Sequence, residues 1–124
     1  MPANIKVIQA RDFIRATPQG QVYLDKAEEL LKRIAEAGAG LEDFEVLVDT
    51  RRVTGALAPT ELWRLAEKLV HYRHTFAHKT AILCPLEKFD NSAFFALCAE
   101  NRGFNICAFT SYEDAMEWLL DGES

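Results

Sequence analysis

The chain is short of cysteine, of long apolar runs and of positive charge, and each shortage removes a class of protein. Cys84, Cys98 and Cys107 are its three cysteines, an odd number without Cys-x-x-Cys spacing, all within apolar or periodic segments. A disulfide scaffold or zinc site is therefore not expected; reduced, buried thiols in a cytoplasmic protein are. No stretch approaches the roughly 20 apolar residues of a membrane span, and the opening Met1-Pro2-Ala3-Asn4-Ile5-Lys6 has no long apolar core of an export signal. Lysine and arginine total 14 against 19 acidic residues, a net charge of −5. Duplex affinity rests mostly on phosphate neutralisation, so a general nucleic-acid binder is not expected. Repeats and low-complexity runs are missing too. Gly38-Ala39-Gly40 follows a helical pattern instead of opening one and lacks the Lys-Ser/Thr of a phosphate loop, which makes it a connector.

What remains is a chain of 124 residues, 49% hydrophobic, enough for one domain over residues 1–124 with its own core. Residues 5–9 and 13–16 have the composition of short strands around Arg11-Asp12, and Thr17-Pro18-Gln19-Gly20 carries turn chemistry, so the start reads as a hairpin. Asp25-x-x-Glu28 is a capping pattern ahead of Ala27, Leu30, Leu31, Ile34 and Ala35 at helical spacing, with Gly38 as a stop. Phe44-Glu45-Val46-Leu47-Val48-Asp49 reads as a buried strand that ends as the chain turns polar. Pro59 suits a first helical position, and Leu62, Leu65, Ala66, Leu69, Val70 and Phe76 recur on one face. Thr80 to Cys84 forms the next strand, closed by Pro85. Asp90 then caps a helix that buries Phe94, Leu97 and Cys98 and stops at Gly103. A strand over 104–109 and a helix capped by Ser111-x-x-Asp114, burying Ala115, Trp118 and Leu119, complete the chain.

Strands alternating with helices imply crossover connections and a mainly parallel sheet, with the first strand free to run antiparallel. The expected fold class is α/β: a mixed, mostly parallel sheet of four to five strands packed with about four helices. In such sheets ligands meet the loops at the carboxyl ends of the strands, here residues 49–55, 84–89 and 109–111.

In this order of elements, Val46-Leu47-Val48-Asp49-Thr50-Arg51, Lys79-Thr80-Ala81-Ile82-Leu83 and Arg102-Gly103-Phe104, followed by Phe109-Thr110-Ser111-Tyr112-Glu113-Asp114-Ala115-Met116-Glu117-Trp118-Leu119, resemble the SpoIIAA-like, STAS-type domains of bacteria. The resemblance spans nearly the whole chain. It implies a mixed sheet with helices and no established reaction. It also implies the company of domains that act as anti-sigma-factor antagonists or as cytoplasmic parts of anion transporters. The antagonist branch is phosphorylated on an Asp-Ser-Ser/Thr-Gly motif at the start of the second helix, where the added charge breaks partner binding. Here that stretch is Leu57-Ala58-Pro59-Thr60, so neither Thr54 nor Thr60 inherits the acceptor role.

The residues themselves offer few chemical constellations. Asp49 at a strand end invites comparison with a phosphoacceptor aspartate, but Gln9-Ala10-Arg11-Asp12 supplies no acidic pair to hold magnesium; a carboxylate bracing the next loop is the simpler expectation. Arg51 and Arg52, with Thr50, Thr54 and Gly55 nearby, form the best ligand candidate, because guanidinium forks suit a carboxylate or phosphate. Solvated arginines, one bracing Asp49, are the structural counter-reading. His71, His74 and His78 would share a face only if the second helix ran that far, and no Cys or carboxylate joins them; no metal or other cofactor is expected. Trp63, Tyr72 and Phe95 flank the apolar stripes of their helices and are candidates for an exposed partner or dimer surface.

The expected function is a non-catalytic regulatory or protein-interaction module, whose partner is another protein or a second copy of the chain. The alternative is a domain for a small anionic or lipid-like ligand held near Asp49, Thr50, Arg51, Arg52 and Thr54. An enzyme comes last, since no catalytic cluster is visible.

Overall fold

A computed structural model describes residues 3–8 and 13–121. The start of the chain at Met1-Pro2, the expected strand end at Gln9 and the Ala10-Arg11-Asp12 stretch lie outside the described residues. The elements are β1 (Ala3–Ile8), β2 (Phe13–Gln21), α1 (Leu24–Ala37), β3 (Glu45–Asp49), β4 (Arg52–Thr54), α2 (Pro59–Lys68), β5 (Lys79–Leu83), α3 (Phe89–Glu100), β6 (Asn105–Phe109) and α4 (Tyr112–Leu120). The sheet order is β1-β2-β3-β5-β6, with β4 beside the far end of β2. β1 runs antiparallel to β2, and the β2–β3, β2–β4, β3–β5 and β5–β6 pairs are parallel. This is the mixed, mostly parallel sheet with four helices that the alternation of elements predicts.

Strand alternation sorts the core into two layers. Ile14, Ala16, Val46, Ile82 and Ile106 face the helix layer of Leu30, Ile34, Leu62, Leu65 and Phe95, from α1, α2 and α3. Phe13, Leu47, Ala81 and Leu83 face the other way, against Ala115 and Leu119 of α4. Three helices thus cover one face and one covers the other.

Several local expectations are corrected. Thr17-Pro18-Gln19-Gly20 is not a turn but the second half of β2. β2 pairs with β3 over Phe13 to Ala16 and with β4 over Gln19 to Gln21. Pro18 pairs with Ala3 of β1 and, among the described residues, has no partner on its other side, between the β3 and β4 ladders, where a missing N–H breaks no ladder bond. β4 itself, three residues long, is too short to leave a periodic signal. Asp25 and Asp90 do not cap their helices. α1 starts at Leu24 without a side-chain cap, and the Asp25 carboxylate accepts instead from the Lys26 N–H at 2.9 Å. α3 starts at Phe89, again uncapped by a side chain. Ser111 does cap α4, its hydroxyl accepting from the Asp114 N–H at 3.2 Å. At α2, Pro59 occupies the first turn, and Glu61 Oε1 accepts from the Ala58 N–H at 2.8 Å.

The α3 face is also rotated from expectation. Phe95, Ala96, Cys98 and Ala99 are buried, whereas Phe94 and Leu97 are exposed at 37% and 52%. Phe94-Phe95-Ala96-Leu97-Cys98-Ala99 is apolar all round, so periodicity could not fix which face turns inward. Val70, placed on the buried stripe of the second helix, is exposed because α2 ends at Lys68 and continues only as a 3-10 turn, Leu69–Tyr72. At the end of α1, a Cβ on Gly38 would lie 2.5 Å from Phe44 Cζ, so the chain passes Phe44 closely enough to require glycine there.

Candidate functional site

Asp49 is the last residue of β3 and points to the α4 side of the sheet, being one residue beyond Val48 of the opposite layer. It is buried. Arg51 grips it with three donors: the backbone N–H to Oδ1 at 3.1 Å, Nε to Oδ1 at 3.0 Å and Nη2 to Oδ2 at 2.9 Å. Arg15 Nη2 adds a fourth at 3.3 Å, and its guanidinium lies 5.6 Å from the centre of the Tyr112 ring. Burial pushes the Asp49 carboxyl up, but the side-chain and backbone hydrogen bonds of Arg51 outweigh it and leave the group below its usual range. Arg51 is thereby committed to Asp49, as the bracing expectation has it. Arg52 is exposed on β4, and the Thr54 hydroxyl donates to Gln21 Oε1 at 3.4 Å.

The remaining candidate, Thr50, stands elsewhere. Its backbone N–H and its hydroxyl both donate to the Leu83 carbonyl, at 2.8 Å and 3.0 Å. It also lines an apolar cavity of about 150 Å³ on the three-helix side of the sheet. Leu30 and Leu31 of α1, Leu62 and Leu65 of α2, and Phe95 of α3 form one wall, and Val48, Thr80, Ile82 and Ile106 form the sheet wall. Of the wall residues, Gly55 and Ala56 are exposed, and Val22, Val48, Thr50, Val53, Lys88, Asn91 and Ser92 are partly so. The cavity therefore opens at the carboxyl ends of β3 and β5, between two of the loops where α/β sheets bind ligands. Two hydrogen bonds cross this mouth: Lys88 Nζ donates to the Gly55 carbonyl, and Asn91 Nδ2 donates to the Leu57 carbonyl at 3.0 Å. Gly55 keeps a positive φ of 77° there, a conformation that costs other residues about 1 to 2 kcal/mol.

Of the five residues singled out in the sequence, Asp49 and Arg51 come together, Arg52 and Thr54 stay apart at the surface, and Thr50 alone borders the cavity. Thr80, Lys88, Asn91 and Ser92 went unnoticed. The available signal for Thr80 was its place as a polar residue in phase with Ile82, and hence on the face covered by α1, α2 and α3.

The histidines do not assemble. The 3-10 turn breaks their helical phase, and His78 Nε2 lies 2.9 Å from Asp43 Oδ1. Among the described residues no group of three or more His, Cys, Asp and Glu converges as metal ligands. All three cysteines are free, and burial pushes the Cys84 and Cys107 thiols up, away from the reactive thiolate form. No helix among the described residues is long and apolar enough to cross a membrane.

Among solved structures that match, one aligns along most of both chains. It is an uncharacterized protein of the DUF3478 family with a SpoIIAA-like fold, from Shewanella loihica PV-4, with a TM-score of 0.63 over 95% of this chain and 92% of that one. The fold is SpoIIAA-like. Sequence identity across the match is 18%, so the likeness carries the fold and not a role. No protein-family model and no curated protein matches the chain. The SpoIIAA-like fold sets the cavity between the central strands β3 and β5, with β6, and helices α1 to α3.

Proposed function

We propose that this domain is a non-catalytic binding module for a small apolar molecule, held in the cavity between the sheet and helices α1, α2 and α3. The observation that carries this reading is the cavity of about 150 Å³, bordered by Thr50, Val53 and Gly55 of the 49–55 loop. An apolar cavity of about this size admits a benzene-sized guest. A ligand that binds the folded chain and not the unfolded one adds to its stability, which couples occupancy to stability. The anionic variant of the ligand hypothesis loses its main support, since Arg51 is taken up by Asp49 on the other face of the sheet.

Regulation or interaction through the fold's outer surface is the second reading. It is supported by Trp63 on α2 and Leu97 on α3, exposed at 47% and 52%, on two helices that also wall the cavity. In that scheme filling the cavity would alter the α2 and α3 surface that a partner reads.

Native mass spectrometry of gently purified protein tests the binding role. The expected result is a retained small molecule, or a melting temperature raised by members of a panel of small apolar compounds. A ligand-free mass together with an unchanged melting temperature across that panel would contradict it.

A further inference from the structure

The cavity wall holds one polar feature that the apolar reading does not use. Among the described residues, two buried side-chain nitrogen or oxygen atoms have no hydrogen-bond partner, Arg15 Nε and Thr80 Oγ1. Arg15 lies on the α4 side of the sheet; Thr80 lines the cavity and is 3% exposed. The other polar wall residues near the mouth have their bonds within the chain: Thr50 to Leu83, Asn91 to Leu57, Lys88 to Gly55, and Ser92 with the Cys84 thiol. Native proteins leave few buried hydroxyls unpaired, because the lost hydration is then uncompensated.

The position of Thr80 says what would pair with it. In the sheet it is flanked by Val46 on β3 and Ile106 on β6, so its neighbours there offer neither charge nor donor. It sits three residues before Leu83, whose carbonyl meets Thr50 at the mouth, and at about 3.3 Å per residue that is roughly 10 Å of depth. A charged group so deep among apolar walls would be strongly disfavoured. A hydroxyl, by contrast, serves as donor and acceptor alike, and so accommodates a neutral partner of either kind.

Resting on the binding role above, we infer that the ligand is a neutral, ring-sized molecule bearing one hydrogen-bonding group, a hydroxyl, carbonyl or ring N–H, which pairs with Thr80 Oγ1 when the side chain turns that oxygen toward the cavity, while the apolar remainder fills the space among Leu62, Leu65 and Phe95. Thr80 is then the specificity residue, and the leucines and Phe95 supply size selection.

Benzene and phenol are the probes, titrated calorimetrically into the full chain and into Thr80→Val, which keeps the shape and removes the hydroxyl. Benzene binds both proteins alike, and phenol binds the variant about fivefold to tenfold more weakly than the parent, the worth of one buried hydrogen bond. Without ligand, Thr80→Val melts above the parent. Equal phenol affinity in the two proteins, with benzene still bound, overturns the role of Thr80 and leaves the cavity reading standing. Failure of benzene and phenol alike to bind the parent overturns both. A phenol complex crystallised with the parent protein gives a readout independent of any variant: the phenol oxygen lies within hydrogen-bond distance of Thr80 Oγ1, and a ring reversed with its oxygen at the mouth contradicts the assignment.

Discussion

Arg51 chelates Asp49 in a bidentate pair, Nε to Oδ1 at 3.0 Å and Nη2 to Oδ2 at 2.9 Å, across only two residues of chain. The pair fastens the start of the 49–55 loop from the α4 side of the sheet, while the next residue, Thr50, opens onto the cavity on the other side. One loop therefore joins a structural ion pair to the candidate binding site without the two sharing any side chain.

Arg51→Ala removes three of the contacts to a buried carboxylate if its backbone N–H shifts with the loop, and two if it does not. Leaving a buried acceptor short of donors costs about 1 to 3 kcal/mol. Since the Arg51 side chain is 46% exposed, solvent competes for it and the expected loss is nearer about 1 kcal/mol. Urea unfolding checks the loss, and ligand titration of the same variant checks the separation: affinity for an apolar probe stays within twofold or so of the parent's.

The same pair fixes a pH dependence. The folded state holds the Asp49 carboxyl below its ordinary value of 3.8, because Arg51's hydrogen bonds outweigh burial. A depressed carboxyl contributes stability that is complete above the unfolded value and is lost as pH falls through the folded one. Between about pH 5 and about pH 2 the parent should thus lose more stability than Asp49→Asn, which has no carboxyl there to protonate. Denaturant midpoints of both proteins across that window decide it; parallel curves contradict the assignment.

Sequence and structure agree best where periodicity is strong and long. The apolar run of β3, the Leu62-Leu65-Ala66 stripe with Pro59 ahead of it, and the Ser111 cap of α4 were all readable, because spacing, turn chemistry and cap agree there. Thr17-Pro18-Gln19-Gly20 misled because β2 changes partner at Pro18, a tertiary fact that local turn propensity cannot register. Phe94 and Phe95 offered no contrast from which to choose the inward face. The site was legible only in part. Strand-end logic led to the 49–55 loop and guanidinium chemistry led to Arg51, but Arg51's nearest anion proved to be the chain's own Asp49. A cavity is a property of what side chains leave unfilled, and its walls come from helices and strands that are distant in sequence.

The mouth of the cavity is bridged by Lys88 and Asn91, bonded to the carbonyls of Gly55 and Leu57. A ligand that enters between these residues parts this seam, so Asn91→Ala in combination with Lys88→Met should speed exchange while leaving the affinity for benzene within a few fold. A rise in both association and dissociation rates, about threefold to tenfold for two weak, partly exposed hydrogen bonds, is expected in line-shape measurements. Unchanged rates mean that entry lies elsewhere.

The central claim is that the space among Leu62, Leu65, Ile82 and Phe95 receives an apolar guest, and a benzene titration followed by methyl-resolved NMR tests it most directly, with Val48→Phe as the comparison. In the parent protein the methyls of Leu62, Leu65 and Ile82 should shift saturably. Val48→Phe, which puts a ring into the void, should keep the fold, gain up to about 1 kcal/mol of stability and abolish those shifts. Absence of saturable shifts at these methyls in the parent, or shifts that persist undiminished in Val48→Phe, would contradict the account.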